Sequence, residues 1–325
     1  MNLQRRDFLR IAGATAMTYS VPLFAQTRFP SRPITFIVPF APGGTTDIIA
    51  RIVAEPMGKL LGQTIIVENR GGSGGTIGAI ALRNAAPDGH TLGIATVSTM
   101  ATNPAVNPNT GYNPLDFVPI TNLASTPNVL AVNSQFPAKN LSEFLELVRR
   151  SPGKFAFASS GTGGVGHLMG EIFKDTTKTF ITHLGYRGAG PALNDVIANQ
   201  VPILFDNLPS SLPHIQGGRL RALAVASPKR VPQLPDVPTF AEVGLAPVND
   251  GVWYGIIGPK GTPAEVVKAV HEAAIKTLQL PEIRQRIIAT TSEPIGNTPE
   301  QFAKQIQSEL DKYKRIVQSR KIVLE

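Results

Sequence analysis

Short β-branched runs alternate with segments of helical periodicity along nearly the whole chain, and this alternation restricts the fold more than any single motif does. Ile34-Thr-Phe-Ile-Val38 reads as a strand that ends in a Gly-Pro-rich turn. A helix follows from near Thr46. Its apolar positions Ile48, Ile49, Ile52, Val53, Met57, Leu60 and Leu61 fall on one face, and Gly62 stops it. A strand at 64–68, a Gly-rich turn, a helix over 76–85 and a strand at 91–97 complete a β-α-β-α-β series. That order predicts a mostly parallel sheet with helices on its faces.

A second series starts after a Pro- and Asn-rich stretch at 103–119. It runs as a strand at 129–132, a helix opened by Asn140-x-x-Glu143, a strand at 155–158, a helix near 168–173, a strand at 181–186, a helix at 191–199, and strands at 201–205 and 220–225. Two similar α/β units in series result. Pro-rich linkage from 228 to 247 leads to a strand at 253–257. Two closing helices then start at Thr262-Pro263 with Glu265 and at Thr298-Pro299 with Gln301.

The first residues read as a signal peptide. Arg5, Arg6 and Arg10 precede an uncharged stretch from 11 to 25 that is too short for a membrane span and ends in small residues. Arg5-Arg6 followed by Phe8-Leu9 is similar to a twin-arginine export signal; the alternative is an N-terminal anchor. Processing after residue 25 would remove three arginines and one aspartate, taking the net charge from +8 to 8 − (3 − 1) = +6. The basic residues are scattered and not interleaved with aromatics, so a surface attracting anionic solutes fits better than a nucleic-acid groove. Cysteine is absent, which excludes disulfides, thiolate metal sites and Cys nucleophiles.

The chemistry sits in the turns. Pro39-Phe-Ala-Pro-Gly-Gly-Thr-Thr-Asp47 joins the first strand to the first helix, and Gly43 and Gly44 allow a ligand close to the free N–H groups of the helix start. The same residues also suit an ordinary turn with Thr45 or Thr46 as cap and Asp47 complementing the dipole. The design recurs in the second unit at Ala158-Ser-Ser-Gly-Thr-Gly-Gly-Val-Gly-His167, where Ser159, Ser160 and Thr162 add hydroxyls. Two such turns facing each other could hold one small anion from both sides. Arg187 could meet a second carboxylate or be a solvated turn residue. Ser98 and Thr99 after one strand, and Asp206 and Asn207 after another, stand at strand C-termini, where ligands of open α/β sheets collect.

Two enzyme signatures compete with this reading. Gly161-x-Gly163-x-x-Gly166 matches the dinucleotide fingerprint, but no acidic residue follows about 20 positions on, and Arg187 stands there; an NADP-linked oxidoreductase is the alternative it leaves. Gly71-Gly-Ser73-Gly-Gly75 matches G-x-S-x-G, a cheap match among glycines. None of the five histidines has metal-ligand spacing, so neither a metal site nor a cofactor is expected.

Taken together, several motifs make the chain resemble the Bug/TctC family, the extracytoplasmic receptors of tripartite tricarboxylate transporters. They are Phe29-Pro-Ser-Arg-Pro-Ile34, Val38-Pro-Phe-x-Pro-Gly-Gly-x-x-Asp47, Val67-Glu-Asn-Arg-x-Gly-x-Gly-Gly75, Pro87-Asp-Gly-His-Thr91, Ser160-Gly-x-Gly-Gly-x-x-His-Leu168, Tyr186-x-Gly-x-x-Pro191 and Trp253-Tyr-Gly255. The resemblance implies a two-lobed type II periplasmic binding protein of the Venus-flytrap kind, not an enzyme. Lobe 1 would comprise residues 26–125 with 250–325, and lobe 2 residues 126–249. It also implies a monomer in the periplasm that clamps a mono-, di- or tricarboxylate and passes it to permease subunits or a sensor protein. By resemblance, carboxylate contacts fall on Phe40, Ala41, Gly44, Thr45, Ser160, Gly161 and Thr162. His167 stands where the family has a histidine, and Arg187 where its pattern varies.

Overall fold

The computed structural model describes residues 29–322. The signal-peptide reading of residues 1–25 lies outside the described residues. A first sheet holds β1 (Ile34–Val38), β2 (Ile65–Asn69), β3 (Thr91–Thr96), β4 (Val118–Thr126), β10 (Val252–Gly258) and β11 (Glu293–Pro294), in the order β11-β4-β10-β3-β1-β2. A second holds β5 (Asn128–Asn133), β6 (Ala156–Ser159), β7 (Thr182–Gly185), β8 (Ile203–Asn207) and β9 (Leu220–Ala226), in the order β7-β6-β8-β5-β9. The helices are α1 (Thr45–Leu61), α2 (Thr76–Arg83), α3 (Asn103–Val106), α4 (Leu141–Arg150), α5 (Val165–Thr177), α6 (Ala189–Ile197), α7 (Leu208–Gln216), α8 (Ala264–Gln279), α9 (Pro281–Ala289) and α10 (Pro299–Arg320).

Both sheets are mixed. β1 pairs parallel with β2 and β3, while β10 runs against β3 and β4, and β11 against β4; β1 to β4 therefore share one direction. In the second sheet β6 pairs parallel with β7 and β8, and β5 alone runs against its neighbours β8 and β9. The reversed strands β5 and β10 are those entered when the chain passes between sheets, once through Pro127 and once through residues 227–251. One helix spans both units: Ile316 of α10 packs on both cores, and Arg320 at its end pairs with Asp175 of α5.

Each sheet is held by its own core. In the first, α1 buries Ile49, Val53 and Met57 against Phe36 and Val38. The second is aromatic, with Phe157 and Phe205 edge-to-face at 5.2 Å and Phe144 and Phe173 at 6.0 Å. Caps fix the helix starts. Thr298 accepts from the Gln301 amide at 3.2 Å while the Gln301 side chain accepts from the Thr298 amide at 2.9 Å, the expected reciprocal box. At α4 the Asn140 cap forms at 2.9 Å, but Glu143 accepts from the Lys139 amide one residue earlier than the box pattern predicts. At α8 the N-cap is Pro263, and the Thr262 hydroxyl donates to the Pro259 carbonyl instead.

The sequence reading passes over β4, α3, α7, α9 and β11, and prolines hide most of them. β4 opens with Val118-Pro119, tolerated because the ladder with β10 shifts register there. α7 carries Pro209 in its first turn and Pro213 one turn later, and α9 starts at Pro281. Residues 98–106 form a π turn (Ser98–Thr102) running into α3, with residues 98–103 buried and 104–106 half-buried.

α10 clamps the first sheet through one aromatic side chain. Phe302 is fully buried, meets Trp253 edge-to-face at 5.1 Å, and fills the space over Gly255 where a side chain would collide with it. Phe302→Ala should cost about 3–5 kcal/mol, read as a shift in urea unfolding free energy.

Candidate functional site

The C-terminal ends of β1, β3, β6 and β8 converge on an enclosed cavity between the sheets. Phe40, Gly44, Thr45, Thr46, Thr96, Val97 and Ser98 line it from the first unit, Ser160, Val165, Ala189 and Asn207 from the second, and Val252 and Tyr254 from the reversed strand β10. Its volume is about 20 Å³, room for one or two water-sized bodies. A wider depression of about 650 Å³ lies on the outer face between α1 and β2, away from the converging strand ends.

Four helices begin at this cavity, α1, α5, α6 and α7, and α1 and α5 approach it from different units. The N-caps of these two are Gly44 and Gly164, both extended, and neither helix has a side-chain cap from its own N-cap residue. Amides of two first turns, that of Val165 being taken by Ser98 Oγ, and the positive ends of two dipoles are thus presented to the same small space. Hydroxyls of Thr45, Thr46, Ser98 and Ser160 add donors, and none of the lining residues is charged. Such a wall favours an anion through fixed dipoles that cannot titrate.

The units are in direct contact. The Ala41 amide donates to the Arg187 carbonyl at 3.0 Å, and the Val165 amide to Ser98 Oγ at 3.1 Å. Thr102 Oγ1 donates to the Gly163 carbonyl at 2.8 Å, and the Ser210 amide to Thr45 Oγ1 at 3.2 Å. Glycine is needed where backbones meet: a Cβ on Gly71 would stand 2.5 Å from the Arg187 oxygen, and one on Gly161 would stand 2.8 Å from the Gly74 nitrogen. The 71–75 segment, which matches G-x-S-x-G, is therefore a docking turn against the 161–164 loop; Ser73 is exposed, and its carbonyl accepts from Asn103 Nδ2 at 2.9 Å.

Of the residues singled out from the sequence, Phe40, Gly44, Thr45, Ser98 and Ser160 line the cavity. The others stand behind it. Ala41 spends its amide on Arg187, whose side chain is exposed. The Gly43 amide donates to Asp47 Oδ2 at 3.2 Å; burial opposes ionisation of Asp47, but bonds from Arg51, Asn69 and Gly43 hold its carboxyl below the usual range. Thr99 is bonded to Thr96 beneath the floor, and the Gly161 amide to Ser159 Oγ at 3.3 Å. Thr162 packs on Gly185, and Asp206 is buried behind Thr45. His167 supports the loop from below: its Nδ1 accepts from the Gly163 amide at 3.1 Å, and its ring stacks on His183 at 3.8 Å. His183 lies 2.7 Å from Ser159 Oγ; burial and the adjacent His167 push its pKa down to about 3.

Asn207, marked with Asp206 as a strand-end residue, also lines it; among the lining residues the sequence reading did not mark for binding, Thr46 sits in the same motif as Thr45. Tyr254 had a signal of its own, a hydroxyl inside an otherwise apolar strand; it donates to Asn207 Oδ1 at 2.7 Å. Val97, Val165, Ala189 and Val252 carry no local mark, because an aliphatic wall residue reads as core. Among the described residues no group of His, Asp or Glu side chains is placed to hold a metal, and no helix is long and apolar enough to cross a membrane.

Two α/β units closing on a dipole-lined cleft define a two-lobed periplasmic solute-binding protein, not an enzyme. The chain belongs to the tripartite tricarboxylate transporter family of receptors, TctC, whose sequence profile matches residues 49–322. It is 34% identical to the protein BugT of Bordetella pertussis, over 95% of this chain and 94% of that protein. It is also similar to a solved periplasmic transporter at 51% identity and TM-score 0.90, covering 91% of this chain and 100% of that one. MatC of Rhodopseudomonas palustris, solved with bound malate, is 34% identical with TM-score 0.86, over 89% of this chain and 100% of MatC.

The support beneath the loop and the contact across it are separately testable. The unfolded chain's histidine takes up a proton near pH 6.5, which folded His183 refuses down to about 3, so His183 makes stability fall as pH drops through that window. His183→Gln should flatten this part of the profile, read as urea midpoints at pH 7 and 5. A methyl group on Gly74, whose φ is 60° and whose Cα faces the Thr162 carbonyl, should disfavour contact between the units by about 1–3 kcal/mol. Gly74→Ala should therefore widen the radius of gyration of the ligand-free protein in X-ray scattering.

Proposed function

We propose that this protein captures a small carboxylate in the cleft between its two sheets, after export to the periplasm through its N-terminal segment. It then presents the closed form, as a monomer, to the permease subunits of a tripartite tricarboxylate transporter. The observation that carries the reading is the pair of uncapped glycine N-caps, Gly44 and Gly164, opening on one cavity with no charged lining residue. Membership of the receptor family and the malate held by MatC support it.

In this reading the guest's carboxylate takes its bonds from the first turn of α1 and from the Ser160 loop, with the hydroxyls of Thr45, Thr46, Ser98 and Ser160 completing them. Phe40, Val97, Val165 and Val252 enclose the carbon skeleton. Bonds such as Thr102 to Gly163 and Ala41 to Arg187 then hold the units together, each worth about 0.5–1.5 kcal/mol net. The reversed strands at the two crossings supply the hinge. The cavity of about 20 Å³ has room for little more than a carboxylate group, so the carbon skeleton of an acid requires the units to stand further apart, and a diacid further still.

A thermal-shift screen of mono-, di- and tricarboxylates tests the reading. An acid at about 100 times its Kd should add about 2.7 kcal/mol. For a chain of this size unfolding as one unit that is a rise in Tm of about 4–5 °C. Gly44→Val should abolish the shift, since a Cβ there already stands 3.3 Å from the Ala189 Cβ. Silence across the whole panel would reject the carboxylate reading.

A further inference from the structure

Asp206 ends β8 directly behind the cavity wall, 4% exposed, and no cation pairs with it among the described residues. Its Oδ2 is met by Ser210 Oγ at 2.7 Å and Ser211 Oγ at 2.8 Å, both from the first turn of α7. Ser210 Oγ also stands 3.0 Å from the Asn207 carbonyl and 3.0 Å from Thr45 Oγ1, which belongs to the other unit and to the cavity wall. A chain of oxygens thus runs from a buried carboxyl, across the contact between units, to the place proposed for the guest anion.

Among the described residues no side-chain cation offsets a charge on Asp206, and the start of α7, directly after Asn207, offers only a partial positive charge. β10 brings the Tyr254 hydroxyl, occupied with Asn207, and β5 brings Val129 opposite. α1 brings Thr45; its Asp47 is already bonded to Arg51 and Asn69. On α5, Glu171 is bonded to Lys174 and lies beside His167, within the cluster around His183. The hydroxyl protons can accommodate a neutral carboxyl. Ser210 has one hydroxyl proton but two neighbours, the carboxylate and the Asn207 carbonyl, that can only accept. If Asp206 is protonated it donates to Ser210, Ser210 donates to Asn207, Ser211 donates to Asp206, and the Thr45 proton is free to point into the cavity.

We propose that Asp206 carries a proton when the cleft is closed, and that closure over an anion takes this proton up from solvent. This rests on the carboxylate reading for the identity of the guest. An ionised Asp206 would set a second buried negative charge behind the guest's own, with two hydroxyls and one backbone amide but no cation to offset it. Burial moves its pKa up, against the bonds from Ser210, Ser211 and the Asn207 amide. On opening, water reaches Ser210, the acid ionises, and the proton leaves with the guest. Affinity for a carboxylate should then rise as pH falls, by up to about tenfold per pH unit between the open and closed pKa values.

The cysteine-free sequence allows a ligand-free test. A Cβ on Gly44 would lie 3.3 Å from the Ala189 Cβ, a few tenths short of disulfide spacing, so Gly44→Cys with Ala189→Cys can lock the cleft shut. At pH 7.5 the oxidised pair should show the infrared carbonyl band of a carboxylic acid that weakens on reduction and is absent once Asp206→Asn is added. A carboxylate signal alone in the oxidised form, or a band indifferent to reduction, would overturn the proposal. A second measurement needs no disulfide. In X-ray scattering the wild type should become more compact between pH 8 and pH 5, whereas Asp206→Asn should be compact at both; parallel behaviour of the two proteins would sink the idea. Neither readout contains a ligand, so failure of the carboxylate screen is distinguishable from failure here.

Discussion

Everything in this molecule is arranged around two helix starts that face each other without side-chain caps. An uncapped N-terminus leaves amides and a fractional positive charge unsatisfied, and two of them at one point are unfavourable unless water or an anion answers them. Gly44 and Gly164 are the residues that leave them open, having no side chain with which to cap. The parallel strands β1 and β6 aim those helices by ending at the cleft, and the reversed strands β5 and β10 carry the chain from one unit to the other. The sheets, the crossings and the closing glycines follow from the need to bring one helix start to the other.

Contact between the units is made mostly by main chain. Gly71, Gly74 and Gly161 let one loop lie on another with no side chain between them, and Ala41, Val165 and Ser210 donate across the gap through their amides. These contacts are rich in bonds that water can replace, each of small net free energy. The rigid parts lie elsewhere, in the aromatic core beneath β6 and β8 and in the Phe302 clamp beneath β10. Stability and closure are thereby assigned to different residues.

Much of this was legible in the chain. Strand-turn-helix order, the Gly62 stop and the Thr298 box were readable because each is local, set by period, by one left-handed residue or by a three-residue spacing. The two glycine turns were readable as a pair because their composition recurs. What escaped depended on partners distant in sequence. β4 and α7 are disguised by prolines whose missing N–H groups only the folded ladder and first turn make harmless. Gly161 and Thr162 carry the motif, yet they face the neighbouring loops, a distinction the spacing cannot express. Tyr254 became a wall residue only when β10 was laid beside Asn207. His167 was marked as a binding residue, but its contact is with the loop that lines the cleft.

The division between a main-chain grip and an aliphatic enclosure has an evolutionary corollary. A grip made of amides is not erased by exchanging one side chain for another, whereas Val97, Val165 and Val252 can each be traded for a larger or smaller neighbour within ordinary mutational drift. Duplicated genes built on this plan can therefore wander in diet while keeping their hold on the acid group, and selection need only retouch a few methyls to open a new niche.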